Sequence, residues 1–488
     1  MSVIWKEGIS RRDVPKEFLS TTERVLFIMR ILLVNPNVRP SFRAFQKMTY
    51  VNSIYNCYPL GLVVLATQLK KHGYEVMIFD ALAMNASDRS YREALVHYQP
   101  DLIGFTAAFY SSIPAVLNAA KISKEIYPHV PIIVGGVLAT FMGHELLSCS
   151  ANIDYVVRGE GERPFLRLLE MLSNKCEIND IPALTFRRKG QILSGEHDQS
   201  SRCGPAFIDS QHIRDLFLFP GRLVFLRSSR ARMYIEASRG CNYDCSFCVV
   251  AAMSGRCVYR KDPVQVVDEI EGYMISLGAN CFSFVDSTFT QDKPYVFSLL
   301  QEIEKRIRDR KARWSFAFGT RVDCIDESIV RALKRTRCFS IAFGVETYSS
   351  EELSSYNKKV LGDKTVEAFN LCRAHSIKTR ALLFLNQFRY HSREMIGLYA
   401  RNTMRLLEVI APDFFTVTPL VVYPNSPLYT RYRSEGLIDD NAVQEIMSGR
   451  LISSPNISEK DLYRLTHYMR LMFSTITYKR RIFGRNPG

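Results

Sequence analysis

Short runs of nearly unbroken hydrophobicity recur along this chain, each separated from the next by a segment of helical period, and the series occurs twice. In the first series Ile31-Leu32-Leu33-Val34-Asn35 precedes a helical stretch over 60–72 that ends at Gly73, and Glu75-Val76-Met77-Ile78-Phe79-Asp80 follows. Leu102-Ile103-Gly104-Phe105, a helix near 113–127 and Ile132-Ile133-Val134, closing on Gly135-Gly136, continue it. A strand that is apolar on both faces needs cover on both faces, so the pattern predicts a parallel, doubly wound sheet between helices.

The second series places strands at 233–237, 281–285, 314–318, 339–343, 378–385 and 414–418. Helices are read at 263–277, 293–308, 327–336, 364–375 and 392–410. Strands alternating with helices in this way form a barrel-like sheet, here only partly closed. The expected fold class is therefore α/β: an N-terminal doubly wound Rossmann-like domain, a partial (β/α)6 TIM-like barrel and a helical C-terminal region. The boundaries read from the chain are an N-terminal extension at 1–29, the Rossmann-like domain at 30–195, a linker at 196–225, the barrel at 226–435 and the helical region with a basic tail at 436–488.

The 488 residues are ample for two such cores, and 47% hydrophobic with 23% charged residues is the balance of a soluble globular protein. The apolar run 25–34 is broken by Arg30 and falls short of the roughly 20 residues needed to cross a bilayer. With cysteine usage unlike a secreted disulfide scaffold, a cytoplasmic protein is expected.

Three of the twelve cysteines cluster in Arg239-Gly240-Cys241-Asn242-Tyr243-Asp244-Cys245-Ser246-Phe247-Cys248, just after a predicted strand. The intervening residues make a polar, bendable loop, poor material for a core. Three thiolates so spaced can hold three irons of a [4Fe–4S] cluster and leave the fourth iron open. A structural zinc site completed by Cys257 is the rival, and it would make the chain a zinc-stabilised α/β interaction protein.

Both sheets present further polar groups where ligands bind such folds, at the carboxyl ends of the strands. In the first, these are Asn35, Asp80, Thr106, Gly135 and Gly136. The spaced glycines of a dinucleotide site are absent, because Asn35-Pro36-Asn37 stands there, which disfavours nicotinamide or flavin. In the second they are the cysteine loop, Asp286, Arg321 and Glu346.

The formal charge of +15 admits an anionic partner, and two groups of cations stand out. Arg227, Arg230, Arg232 and Arg239 crowd the approach to the cysteines, and Lys479, Arg480, Arg481 and Arg485 crowd the C-terminus. No nucleic-acid-binding signature accompanies them. The segment 459–477 carries Leu462, Leu465, Tyr468, Met469, Leu471, Met472 and Phe473, which suits a lid packed over the open barrel edge. The alternative for this helix and its basic ending is contact with a membrane surface.

The stretch 239–248 resembles the signature of the radical S-adenosylmethionine superfamily, with Cys241, Cys245 and Cys248 at its cluster-ligand positions and Phe247 as the aromatic before the last cysteine. Phe284-Val285-Asp286-Ser287-Thr288-Phe289-Thr290, Arg321 and Phe343-Gly344-Val345-Glu346-Thr347 resemble segments of the branch with a cobalamin-binding-like domain ahead of the radical domain. Tyr58-Pro59-Leu60-Gly61, Asp101-Leu102-Ile103-Gly104 and Val157-Arg158-Gly159-Glu160-Gly161-Glu162 extend the likeness over about 30–435.

That resemblance implies a [4Fe–4S] cluster that binds S-adenosylmethionine, and cleavage to a 5′-deoxyadenosyl radical. It implies an external electron donor such as flavodoxin or ferredoxin. Tyr243, Phe247, Asp286, Arg321 and Glu346 would surround S-adenosylmethionine, with Glu346 toward the ribose, Arg321 toward the carboxylate and the two aromatics toward the adenine. Asn35, Asp80, Thr106, Gly135 and Gly136 would line the cobalamin site. The reaction implied is cobalamin-dependent methyl transfer to an unactivated carbon of a small organic or lipid substrate. Apart from the resemblance, Tyr390, His391 and Tyr423 are candidate polar contacts in catalysis at the barrel mouth. A cobalamin-free dehydratase, epimerase or cyclase with a vestigial first domain is the alternative. Two departures bear on this choice. Phe384-Leu385-Asn386-Gln387-Phe388-Arg389-Tyr390-His391 replaces the usual glycine- and proline-bearing segment after the fifth barrel strand, and Leu138 stands where many relatives have histidine. No Asp-x-His-x-x-Gly segment is present.

Overall fold

The computed structural model describes residues 28–38, 59–173, 178, 181–195, 204–223, 232–310, 313–360, 362–390, 392–450, 452, 461, 464–465, 467–469 and 471–474. The first sheet comprises β1 (Arg30–Asn35), β2 (Glu75–Asp80), β3 (Leu102–Thr106), β4 (Ile132–Gly135), β5 (Tyr155–Val157), β6 (Leu184–Arg188) and β7 (Gln191–Ser194). Its order is β2-β1-β3-β4-β5-β6-β7, and the first five strands run parallel. The unbroken apolarity of β1 is explained by burial on both faces: Ile31, Leu32, Leu33 and Val34 are all nearly inaccessible.

The expectation of a wholly parallel sheet is corrected at one edge. β6 pairs antiparallel with β5 and with β7. The β6–β7 connection is the two-residue turn Lys189-Gly190, with φ of 49° and 80°. Two central residues at positive φ match the right-handed twist of a hairpin, which a crossover helix cannot replace over so short a loop.

The second sheet is built from β8 (Arg232–Ile235), β11 (Cys281–Phe284), β12 (Ser315–Arg321), β13 (Cys338–Glu346), β14 (Lys378–Leu385) and β15 (Phe414–Pro419). All neighbours are parallel and the order is β15-β14-β13-β12-β11-β8, so the sheet curls without β15 and β8 meeting. A small antiparallel ribbon, β9 (Ser238–Gly240) with β10 (Val258–Arg260), carries the cysteine loop. Local signals explain why the helix Pro263–Leu277 matches the sequence reading at both ends. Asp262 accepts from the backbone of Val264 and Gln265, Pro263 opens the first turn and Gly278 closes the helix in the left-handed region.

The stretch read as a linker is a packed strap where it is described. Ser210 Oγ donates to Glu269 O at 2.7 Å, Leu218 N donates to Ile78 O at 2.9 Å, and Ile213 and Phe217 are buried. Gly272 is what lets the strap lie so close, since a Cβ there would stand 2.0 Å from Ser210 Oγ. Each of the two large apolar clusters contains residues of both sheets, so the two units share their cores.

At the C-terminal end the helix Ala442–Met447 packs on Ser112–Ile126 of the first unit, with Ala442 and Ile446 buried. Beyond it, Leu465, Met469 and Phe473 are buried at helical spacing, and the Phe473 ring lies 4.7 Å from that of Phe415 on the edge strand β15. Tyr468, Leu471 and Met472 are exposed. Leu462 and the basic residues 479–485 lie outside the described residues, as do Tyr58, Arg227, Arg230 and His391. Among the described residues no helix is long and apolar enough to cross a membrane.

Candidate active site

The cysteine loop is anchored before its first thiol. Gly240 has φ of 97°, and a Cβ on it would meet Cys257 O at 2.0 Å, so no side chain fits there. Asp286, at the end of β11, accepts from Ala237 N at 3.2 Å, Ser238 N at 2.6 Å and Ser238 Oγ at 2.5 Å. Burial raises its carboxyl far above the ordinary range, to about 7. All of these contacts hold β9, the strand leading into the loop. Gln291 then brackets the first turn, accepting from Asn242 N and donating to Gly240 O, both at 3.2 Å.

Within the loop Cys241 is buried with Sγ 3.6 Å from Thr288 Oγ1. Cys248 N donates to Cys245 O at 2.9 Å, turning the chain back on itself between the last two cysteines. Burial pushes the Cys245 thiol up and that of Cys248 up to about 11, with the neighbouring cysteines adding to the effect. Arg321 opposes this at Cys245, its Nη1 lying 3.5 Å from the sulfur. The same guanidinium is held by both oxygens of Asp323, at 2.9 and 2.7 Å, and stacks 3.8 Å from the Tyr243 ring centroid. Arg321 is thus fixed from two sides beside the thiols.

Glu346 closes β13 at φ of 67°, a conformation costly for a residue with a side chain. Its Oε1 pairs with Lys358 Nζ at 2.6 Å, and Lys358 also donates to Gly344 O at 2.8 Å. Gly344 makes room for the pair, because a Cβ there would lie 2.5 Å from Glu346 Oε1. Phe247 packs edge-on against Tyr356 and Phe384, with centroids 5.6 and 5.1 Å away. Tyr390 is buried in a polar cluster, donating to Tyr348 OH at 3.3 Å and to Glu352 Oε2 at 3.4 Å. Glu352 also accepts from Thr347 Oγ1 at 2.7 Å and Tyr356 OH at 2.9 Å.

In the first sheet Asn35 Nδ2 donates to Asp80 Oδ1 at 2.8 Å across adjacent strand ends. Gly136 has φ of 103°, and a Cβ there would lie 2.9 Å from Ala107 O and 3.0 Å from Thr106 Oγ1. At Gly135, by contrast, a Cβ would make only an ordinary contact, with Val157 O at 3.8 Å. Leu138 is fully buried.

The two sets of strand ends face one another. Tyr423, just past β15, lies 5.7 Å from the Tyr110 ring and 5.8 Å from Phe141, both on the first unit. Burial pushes its hydroxyl up to about 12, and the Cys248 sulfur adds to this from the other side. Asn425 Nδ2 donates to Phe141 O at 2.9 Å, and Tyr110 OH donates to Val422 O.

Of the four arginines read as crowding the cysteines, Arg239 is beside the loop. Arg232 begins β8 at the far end of the barrel, over the Phe339 ring. The cations near the thiols include Arg321 and Lys358. Lys358 and Gln291 were missed in the sequence because only tertiary contact gives them a role. A depression of about 510 Å³ between Asn280, Arg313, Lys334 and Arg337 also opens at the far end, away from the end at which barrel enzymes work.

Residues 48–169 match the B12 binding domain family and residues 235–396 match the radical SAM superfamily. The chain belongs to the radical SAM enzymes with a cobalamin-binding domain. This radical SAM protein is 25% identical over 402 residues to an uncharacterized methyltransferase of Pyrococcus horikoshii, covering 82% of this chain and 83% of the relative. It is 26% identical over 436 residues to the anaerobic magnesium-protoporphyrin IX monomethyl ester cyclase of Cereibacter sphaeroides, covering 87% and 68%. Its fold is similar to that of the radical S-adenosylmethionine methyltransferase TsrM from Kitasatospora setae with cobalamin and a [4Fe–4S] cluster bound. The TM-score is 0.66 at 20% identity, with 84% of this chain and 75% of that one covered.

The residues fit a cluster on the chemistry of their donors. Cys241, Cys245 and Cys248 are free thiols on a polar loop with a fixed guanidinium alongside. Among the described residues no three His, Cys, Asp or Glu are gathered as a single-ion site. A cubane spreads its ligand sulfurs over separate irons rather than around one ion. At the carboxyl edge of the first sheet Gly135 is partly exposed and carries no side chain that would block a corrin. Leu138 is turned into the core and offers no ligand.

Proposed function

We propose that this radical SAM enzyme uses cobalamin to transfer a methyl group to an unactivated carbon of a small organic or lipid substrate. The observation that supports this most is the abutment of the two strand-end surfaces at Tyr423, which touches rings of the first unit on one side and lies near Cys248 on the other. Two cofactors that exchange a group must share one reaction space, and this contact joins the edges at which the two domains bind them.

When bound, the cluster supplies the electron that cleaves S-adenosylmethionine to the 5′-deoxyadenosyl radical, and cobalamin carries the methyl group. The chain's own residues hold and shield. Cys241, Cys245 and Cys248 would ligate the cluster. Arg321, held by Asp323, would meet the carboxylate of S-adenosylmethionine, and Glu346, held by Lys358, would meet the ribose. Asp286 acts from behind by fixing β9. Phe247 and Tyr243 give the adenine side an apolar wall. Asn35, Asp80, Thr106, Gly135 and Gly136 line the corrin edge. Tyr423 borders the substrate, whereas Tyr390, buried with its hydroxyl against Tyr348 and Glu352, supports the wall from behind; an external flavodoxin or ferredoxin supplies electrons.

A second reading, radical cyclisation, is favoured by the cyclase relative, whose likeness spans 87% of this chain. Anaerobic turnover with methyl-labelled S-adenosylmethionine, a reductant and a cell extract separates the two. Label in a new product supports methyl transfer. Release of 5′-deoxyadenosine with substrate consumed and no label transferred overturns it in favour of the second reading.

A further inference from the structure

Arg239 precedes the cysteine loop by two residues, yet its strongest partners lie partly in the other unit. Its Nη1 is 2.7 Å from Glu162 Oε1 and 3.6 Å from Glu160 Oε2, while Nε and Nη2 are each 2.8 Å from the two oxygens of Glu236. All four side chains are largely buried, at 17% exposure for the arginine and 7, 12 and 15% for Glu160, Glu162 and Glu236. Solvent screens such a web far less than a surface pair.

Glu160 and Glu162 follow β5, and the turn they sit on is tied to the first sheet's glycine turn. Gly159 N donates to Thr140 Oγ1 at 2.9 Å, and Thr140 Oγ1 donates to Gly136 O at 3.0 Å. On the other side Arg239 lies between Ser238, held by Asp286, and Gly240, which no side chain can replace. A continuous chain of hydrogen bonds and ion pairs therefore runs from Gly136 to the residue before Cys241.

We propose that Arg239 is a positioning residue that couples the order of the cysteine loop to the order of the Gly159–Glu162 turn, and through it to the corrin edge. This rests on the reading of the three cysteines as cluster ligands. A guanidinium bridging two segments in fixed geometry transmits position in both directions, so the coupling is reciprocal. Filling the loop with a cluster then stiffens the turn in the cobalamin-binding unit before any corrin is present.

The test is amide hydrogen exchange on full-length protein, with and without anaerobic iron–sulfur reconstitution, in wild type, Arg239→Lys and Glu162→Ala. In wild type, reconstitution slows exchange over 157–162 by about fivefold or more, the lower end of site-to-site coupling. In both variants that slowing disappears, while the slowing over 241–248 remains and iron content stays at the wild-type level. Iron-loaded wild type with unchanged exchange over 157–162 overturns the proposal, as does Glu162→Ala that keeps the full effect. Wild type that takes up no iron overturns the cluster reading itself, and the coupling with it; the iron assay on the same samples tells the two failures apart.

Discussion

The ring of Tyr423 lies 5.7 Å from that of Tyr110, inclined at 55°, across the junction between the two sheets. With Phe141 against Tyr423 and Asn425 Nδ2 on Phe141 O, the pair ties the end of β15 to the first unit. Tyr423→Ala should therefore cost about 1–3 kcal/mol as partly buried aromatic contact is lost. Tyr423→Phe should cost much less, since the rings still meet. Urea unfolding of the two variants checks the difference.

Single replacement of Cys241, Cys245 or Cys248 by alanine should abolish reconstituted iron–sulfur absorbance and 5′-deoxyadenosine formation. Cys257→Ala should leave both intact. Tightly bound zinc that depends on Cys257 would favour the zinc site instead.

The pair Lys358–Glu346 is nearly enclosed, with 4 and 15% of the two side chains exposed. Lys358→Met strands a buried carboxylate and should cost about 3–5 kcal/mol. Glu346→Gln keeps an acceptor for the lysine and should be milder in stability, while weakening S-adenosylmethionine binding. Denaturant titration and equilibrium dialysis with S-adenosylmethionine measure the two effects.

Asp286 is raised by burial to about 7, so the folded state holds its proton more tightly than the unfolded chain does. The stability this provides is complete below about pH 4, where both states are protonated, and is lost as pH rises toward 7. Asp286→Asn should flatten that decline. Thermal unfolding of cluster-free protein between pH 4 and pH 8 follows it, and parallel curves for the two proteins would contradict the assignment.

Gly240→Ala should destabilise by about 2–4 kcal/mol, because the new methyl overlaps Cys257 O and the backbone sits at φ of 97°. Iron incorporation should fall with it. Gly73→Ala, at φ of 85° but with nothing within 4 Å, should cost less and leave the iron untouched.

Both sheets were legible in the chain because buried parallel strands write themselves as unbroken apolar runs, and the helix at 263–277 carries its own start and stop signals. The hairpin β6–β7 is not read from the chain although Lys189-Gly190 is a turn signal, since Leu184–Arg188 and Gln191–Ser194 are short and carry polar and charged residues rather than an unbroken apolar run. The cysteines stood out by spacing alone. The environment of Arg239 did not, because Glu160 and Glu162 lie nearly eighty positions earlier and only the docking of the two sheets brings them to it. Phe247 illustrates the same limit, as its ring contacts are with Tyr356, which caps the helix after β13, and with Phe384 on β14, both far along the chain.

The central claim, that one chain brings a corrin and an iron–sulfur cluster to a shared reaction space, is tested most directly by loading both. Protein reconstituted anaerobically with iron and sulfide is incubated with hydroxocobalamin and passed through gel filtration, and iron and cobalt are measured across the protein peak. The account predicts that cobalt co-elutes in stoichiometric amount with a full complement of iron. Full iron with no cobalt in the protein peak would contradict it.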